Sequence, residues 1–165
     1  MAKVETVTCR LHLAEPTRPI KSPLTIRPID VATDKQALLD LYFLAFHSVH
    51  EFNGWPLEEI LQQATNDISL ALANLHPHAS CLAEDEESKA VVGATMIDED
   101  GSQLRHIMMD PAWQRQGIAT QMLNHASKSL ADEGKATLGS RYAKGNEASR
   151  EWHHRMGFVT CSEDH

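Results

Sequence analysis

The sequence predicts an α/β fold, a mixed sheet with helices on its faces, and three observations lead there. Short apolar or alternating runs interleave with longer stretches of three- and four-residue apolar spacing, in the order β-α-α-β-β-β-α-β-α-β. The three strands between 80 and 109 are separated only by short polar turns at 85–88 and 98–102, as in an antiparallel meander. The strands on either side of the helix that follows are joined by a crossover, so they should be parallel neighbours. At 165 residues, with 42% hydrophobic and 23% charged residues, one domain with a substantial core is the expectation.

Residues 4–13 alternate in part, with Val7, Cys9, Leu11 and Leu13 on one side, and form a candidate extra strand. Pro16, Pro19 and Pro23 interrupt regular structure, so residues 1–23 read as an N-terminal extension and 24–165 as the domain. Thr25 to Ile29 is a short strand, and Thr33 or Asp34 caps a helix carrying Ala37, Leu38, Leu41, Tyr42 and Ala45. Between 47 and 56 the pattern breaks into an aromatic, polar, glycine-bearing stretch of the kind found in binding loops. Pro56 then opens a second helix with Leu57, Ile60, Leu61, Ala64, Ile68, Leu72 and Leu75. The meander strands cover 80–83, 90–97 and 103–109. A helix through Ile118, Met122, Ala126 and Leu130 ends near Gly134, a strand covers 135–140, and Gly157 stops a short helix over 146–156. A last strand begins at Phe158.

A formal net charge of −8 makes a nucleic-acid-binding surface an unpromising reading and fits a cationic small molecule or peptide amine somewhat better. Three widely separated cysteines, Cys9, Cys81 and Cys161, argue against a disulfide framework. No apolar run is long enough for a secretion signal or a membrane span. The expected location is the cytoplasm, with no membrane partner.

The stretch 104–121 organises the rest: an apolar strand, the turn Asp110-Pro111, the segment Gln114-Arg115-Gln116-Gly117-Ile118-Ala119, then a helix. Such a loop points its backbone N–H groups, with those of the first helical turn, at one spot, which makes it a candidate anion site as well as an ordinary connection.

That segment resembles the pyrophosphate-binding signature of the GNAT superfamily of N-acetyltransferases, Arg/Gln-x-x-Gly-x-Gly/Ala. Asn146, Ser149, Trp152, His153 and Gly157-Phe158 resemble the family's second motif, and Ile26-Arg27-Pro28 its usual opening. The resemblance implies a mostly antiparallel sheet splayed at its parallel strand pair. It also implies an acyl-CoA-dependent N-acetyltransferase using acetyl-CoA, with a primary amine as acceptor and no metal. In that reading Gln114, Arg115, Gln116, Gly117, Ile118, Ala119 and Thr120 hold the pyrophosphate. The strand at Ile107, Met108 and Met109 pairs with the pantetheine arm, and the Met109 N–H polarises the thioester carbonyl. Asn146, with Ser149 and Trp152, binds the arm or supports the splayed edge.

His153 stands where the family usually has its tyrosine acid, as in members resembling phosphinothricin and amino-acid-analogue acetyltransferases. It either protonates the leaving thiolate or packs beside Trp152. Gln103 and Arg105 occupy positions where the family sometimes keeps a base, and alternation places His106 on the opposite face of that strand. Glu51, His50 and His47 are the better candidates for the base, with a water chain as the alternative. Phe52 and Trp55 either wall the acceptor pocket or pack in the core.

Only seven residues follow Phe158, too few for the family's closing strand, so the N-terminal strand fills the gap or a homodimer partner supplies one. Ten histidines raise a metal site, but HExxH and cysteine pairs are absent. The runner-up function is a non-catalytic member that binds acyl-CoA as a sensor.

Overall fold

A computed structural model of the chain describes residues 5–13, 24–46 and 52–161. Its strands are β1 (Thr6–His12), β2 (Leu24–Arg27), β3 (Cys81–Asp85), β4 (Val91–Ile97), β5 (Leu104–Met109), β6 (Thr137–Ala143) and β7 (Val159–Thr160). Its helices are α1 (Lys35–Phe46), α2 (Leu57–Ala73), α3 (Ile118–Asp132) and α4 (Glu147–Arg155). No helix among the described residues is long and apolar enough to cross a membrane.

Two antiparallel sheets result, β2-β3-β4-β5 and β6-β1-β7. The meander β3-β4-β5 pairs in sequence order because its turns are short. Strand β1 lies between β6 and β7, antiparallel to both, along a seven-residue register with β6 from Thr6↔Ala143 to His12↔Thr137. The strand read at residues 4–13 thus occupies the interior of the second sheet. Its Cys9 is buried, and the thiol donates to the Ser140 carbonyl at 3.3 Å. Burial, with the nearby Cys161, pushes that thiol up to about 11, so it acts as a packing group rather than a thiolate.

Apolar faces set the layers. Helices α1 and α2 cover one face of the first sheet through Leu38, Leu41, Ala64 and Ile68, packed on Leu82, Ala94, Met96 and Met108. Helix α3 covers the other face through Ile118 and Met122, against Cys81, Ala83 and Val92, and runs on under β6 through Leu123, Ala126 and Leu130. The mixed α/β architecture with helices on both faces is the one the sequence implies. Two details differ. Helix α2 stops at Ala73 rather than 75, and α4 buries His153, while Ala148, Trp152 and Met156, the apolar face that helical spacing over 146–156 predicts, stay exposed or half-buried.

The entry to α1 is fixed by charge. Arg27 donates to both oxygens of buried Asp34 at 2.8 and 2.9 Å and to Glu84 at 2.6 Å, tying β2 and β3 to the start of the helix. That guanidinium holds the Asp34 carboxyl below the usual carboxylate range. The stabilisation is therefore complete at neutral pH and is lost as pH falls through the lowered folded value. Arg27→Met leaves Asp34 buried without its fork, and chemical denaturation should show a loss of about 2–4 kcal/mol. A loss below about 0.5 kcal/mol, the size of an ordinary surface change, would reject this role.

Candidate active site

The two sheets meet at one point. Gln103 bridges Gly139 in parallel, and the Gly139 N–H donates to the Ser102 carbonyl at 2.8 Å. A Cβ at position 139 would meet the Gln103 side-chain amide, so a larger residue there would displace that group. Past that pivot β5 and β6 part, opening a cleft of about 520 Å³ lined by both strands, α1, α3 and α4.

The β5–β4 ladder decides which backbone groups face the gap. The Asp110 N–H donates to the Val92 carbonyl at 2.9 Å, in register with Met108↔Ala94 and His106↔Met96. In an antiparallel pair alternate residues bond the partner and the others turn away. The backbones of Ile107 and Met109 therefore point into the cleft. Met108 does not: its backbone pairs with β4 and its side chain is buried under α1 and α2.

At the C-terminal end of β5, Asp110 caps a 3-10 turn over Pro111–Trp113, its carboxylate accepting from the Ala112 N–H at 2.9 Å. The chain then takes left-handed conformations at Arg115 (φ 65°) and Gly117 (φ 77°) before entering α3. Alternating hand of this kind turns successive N–H groups toward one concave spot. The first helical bond runs from the Gln121 N–H to the Gly117 carbonyl, so the helix itself gives the N–H groups of Ile118, Ala119 and Thr120 no partner. The first turn of α3 holds no acidic residue to compete for them. Gln114 and Ala119 line the cleft, Arg115 and Gln116 are exposed beside it, and Ile118 is core. The Thr120 hydroxyl donates to the Met156 sulfur at 3.6 Å. These residues make a loop able to hold a phosphate group.

Helix α4 closes the other side. Asn146 is its cap, accepting from the Ser149 N–H at 3.1 Å, and Asn146, Ser149, Trp152 and His153 all line the cleft. His153 is 7% exposed and held at both nitrogens. Nδ1 lies 2.7 Å from the Ser149 carbonyl, which can only accept, so Nδ1 carries the proton. Nε2 then accepts from the Ser140 hydroxyl at 2.8 Å. Burial pulls the His153 pKa down, partly offset by the Ser149 bond, so the ring is neutral at neutral pH. The imidazolium acid suggested by the sequence is therefore not the resting form. His153 also packs edge-on to Trp152 at 4.9 Å and against Tyr142 at 4.9 Å.

The far end of the cleft is built by α1, α2 and β5. Tyr42 donates to Asp67 at 2.5 Å, and its ring meets Phe46 at 4.9 Å, Phe52 at 6.2 Å and His106 at 5.8 Å. His106 lines the cleft from the face of β5 that it shares with Met108, toward Tyr42 on α1, while Ile107 and Met109 face α3. A bulge precedes it: Met96 pairs with His106 while Ile97 pairs with Leu104, so Arg105 is an extra residue that breaks the alternation between Leu104 and His106. Burial lowers the His106 pKa, against a smaller opposing effect of Asp67. Phe52 lines the cleft with Trp55 packed on it at 5.2 Å. Glu51, His50 and His47, the bases proposed from the sequence, lie outside the described residues. Ser140, Tyr142, Tyr42 and Asp67 were not singled out in the sequence. Alternation along β6 from buried Leu138 through Ser140 to Tyr142 was the available signal for two of them.

A model of the acetyltransferase (GNAT) family matches residues 36–158. Among solved structures, a GCN5-related N-acetyltransferase from Sphaerobacter thermophilus superposes with a TM-score of 0.66 at 17% identity, over 94% of this chain and 48% of that one. The chain thus spans about half the length of that protein. The PaiA N-acetyltransferase of Thermoplasma acidophilum, solved with coenzyme A, gives 0.66 at 14% identity over 86% and 92%. The aminoglycoside antibiotic 6'-N-acetyltransferase of Acinetobacter baumannii gives 0.59 at 17% over 82% and 90%. At these identities the likeness is one of fold. A comparison with curated proteins finds no match.

Proposed function

The chain belongs to the GNAT family of acetyltransferases, and from that premise we propose that it transfers an acetyl group from acetyl-CoA to a primary amine by direct attack on the thioester. The observation that carries the proposal is the parting of β5 from β6 directly beside the left-handed loop at Arg115–Gly117. A phosphate-holding loop and an open strand edge fit the two halves of coenzyme A.

Acetyl-CoA supplies the activated acyl group; the chain supplies position and proton transfer. The N–H groups of the loop and the first turn of α3 hold the pyrophosphate. The outward N–H groups of Met109 and Ile107 line the path of the pantetheine arm, and one of them polarises the thioester carbonyl. Asn146 acts by capping α4, which fixes Ser149, Trp152 and His153 beside that path.

The net reaction of an ammonium acceptor releases two protons from nitrogen, one to solvent and one to sulfur. Two neutral imidazoles face the cleft to carry them. His106 takes the first proton, converting ammonium to free amine, and passes it to water. His153 takes the second from the attacking nitrogen through the Ser140 hydroxyl and returns it by the same route to the departing sulfur. Neither histidine keeps a proton at the end of the cycle.

The test is release of free coenzyme A from acetyl-CoA across a panel of primary amines, with acetyl-CoA binding followed separately by calorimetry. Amine-dependent release well above hydrolysis is the expected result. Tight acetyl-CoA binding with no turnover on any amine would replace this reading with that of a sensor.

A further inference from the structure

Acetyl transfer uses the β5–β6 gap, the loop, α4 and His106, and leaves the acidic group at the far end of the cleft without a task. That end is a carboxylate walled by rings. Asp67 accepts from Tyr42 at 2.5 Å and from Gln63 at 2.8 Å, which fixes its orientation. Tyr42 is 3% exposed, while Phe46 and Phe52 flank it and line the cleft with Asp67. The cleft's other charged groups are Arg105, held by Asp98 at 2.5 Å, and Arg141 on β6 across the opening. Among the described residues, Asp67 is the sole acid in the lining.

A carboxylate in contact with the reacting nitrogen would favour its ammonium form and oppose catalysis. Asp67 does not stand there. Its hydrogen bonds go to Tyr42 and Gln63, and Tyr42 in turn packs edge-on against His106, the neutral group that deprotonates the acceptor in the reading above. Placed so, it suits a cation that stays charged throughout the reaction. Tyr42, Phe46 and Phe52 line the same cleft, and aromatic rings attract cations and cover the methylenes that carry them. Resting on the acetyltransferase reading, we propose that the acceptor bears a second cationic group besides the nitrogen that is acetylated, bound by Asp67 with Tyr42 and Phe52. The substrate class is a diamine or a longer polyamine, not a monoamine or an α-amino acid.

The experiment compares linear diamines with alkyl monoamines of equal length, and with α-amino acids, at saturating acetyl-CoA. In the unmodified protein kcat/KM for the preferred diamine should exceed that of its monoamine about tenfold or more, through KM. Asp67→Asn should bring that ratio close to one, and Asp67→Glu, which keeps the charge, should retain a preference. Equal use of monoamine and diamine, a better α-amino acid, or a ratio unmoved in Asp67→Asn would overturn the proposal. Diamine binding by calorimetry separates it from its premise. Asp67-dependent binding without turnover of any amine keeps the site and rejects the transferase; monoamine turnover without diamine binding does the reverse.

Discussion

Replacing Gly117 by valine is expected to raise the KM for acetyl-CoA by about 100-fold or more while the chain remains folded. Gly117 sits at φ 77°, directly ahead of the first residue of α3. An ordinary side chain in that conformation costs roughly 1–2 kcal/mol, and a β-branched one more. The chain can relieve that strain by rotating out of the left-handed region, which swings the N–H groups of residues 117–119 away from their common focus. Each N–H to a charged oxygen contributes about 1.5–3 kcal/mol, so losing two accounts for the expected factor. In the proposed binding mode the added bulk also stands where the phosphates approach the backbone. Gly117→Ala, with less strain and less bulk, should give an intermediate value. The measurement is KM for acetyl-CoA beside the melting temperature. A variant with an unchanged KM and a lowered melting temperature would mean that the loop is only a connector.

Gly117 also shows how far the sequence reaches. Its segment is legible because a strand–loop–helix connection is local: six consecutive residues, one strand before and one helix after, carry the whole geometry. The segment from Asn146 to Phe158 is local in the same way, and so were the periodicities behind the helices and the meander. What could not be read depends on contacts between distant parts of the chain. The bulge at Arg105, set by a slip between Met96 and Ile97, breaks the alternation between Leu104 and His106, and the residues of β5 give no sign of it. Asp67 looks like one more solvated position on an amphipathic helix until α1 lays Tyr42 against it. Ser140 gains its meaning from His153, thirteen positions away on another element. Met108 was named for the arm because its strand was; which edge a residue shows follows from the register with β4.

His153→Phe should lower kcat by about 10²- to 10³-fold with little change in the KM for acetyl-CoA, since general acid–base groups contribute on that scale. Phenylalanine keeps the ring among Trp152, Tyr142 and Phe158 while removing both nitrogens. Ser140→Ala removes only the bridge, so its loss should be smaller. If the two side chains act as one relay, the double variant should be no worse than His153→Phe alone. The pH dependence has a definite sign. His153 must be neutral to accept the first proton it handles, and burial sets its pKa below the usual value. Activity in the parent protein should therefore fall only on the acid side, below about pH 6.5, where even an unperturbed imidazole would begin to charge. Stability follows the same direction. The unfolded chain takes up a proton near pH 6.5 and the folded one at lower pH, so stability is full above that point and falls as pH drops from it toward the lowered folded value. His106, lowered by its own burial, adds to the same limb. In His153→Phe the part of the limb belonging to residue 153 should vanish from both profiles. Turnover equal to that of the parent across roughly pH 6 to 9 would remove His153 from the proton path and leave the sulfur to be protonated by water.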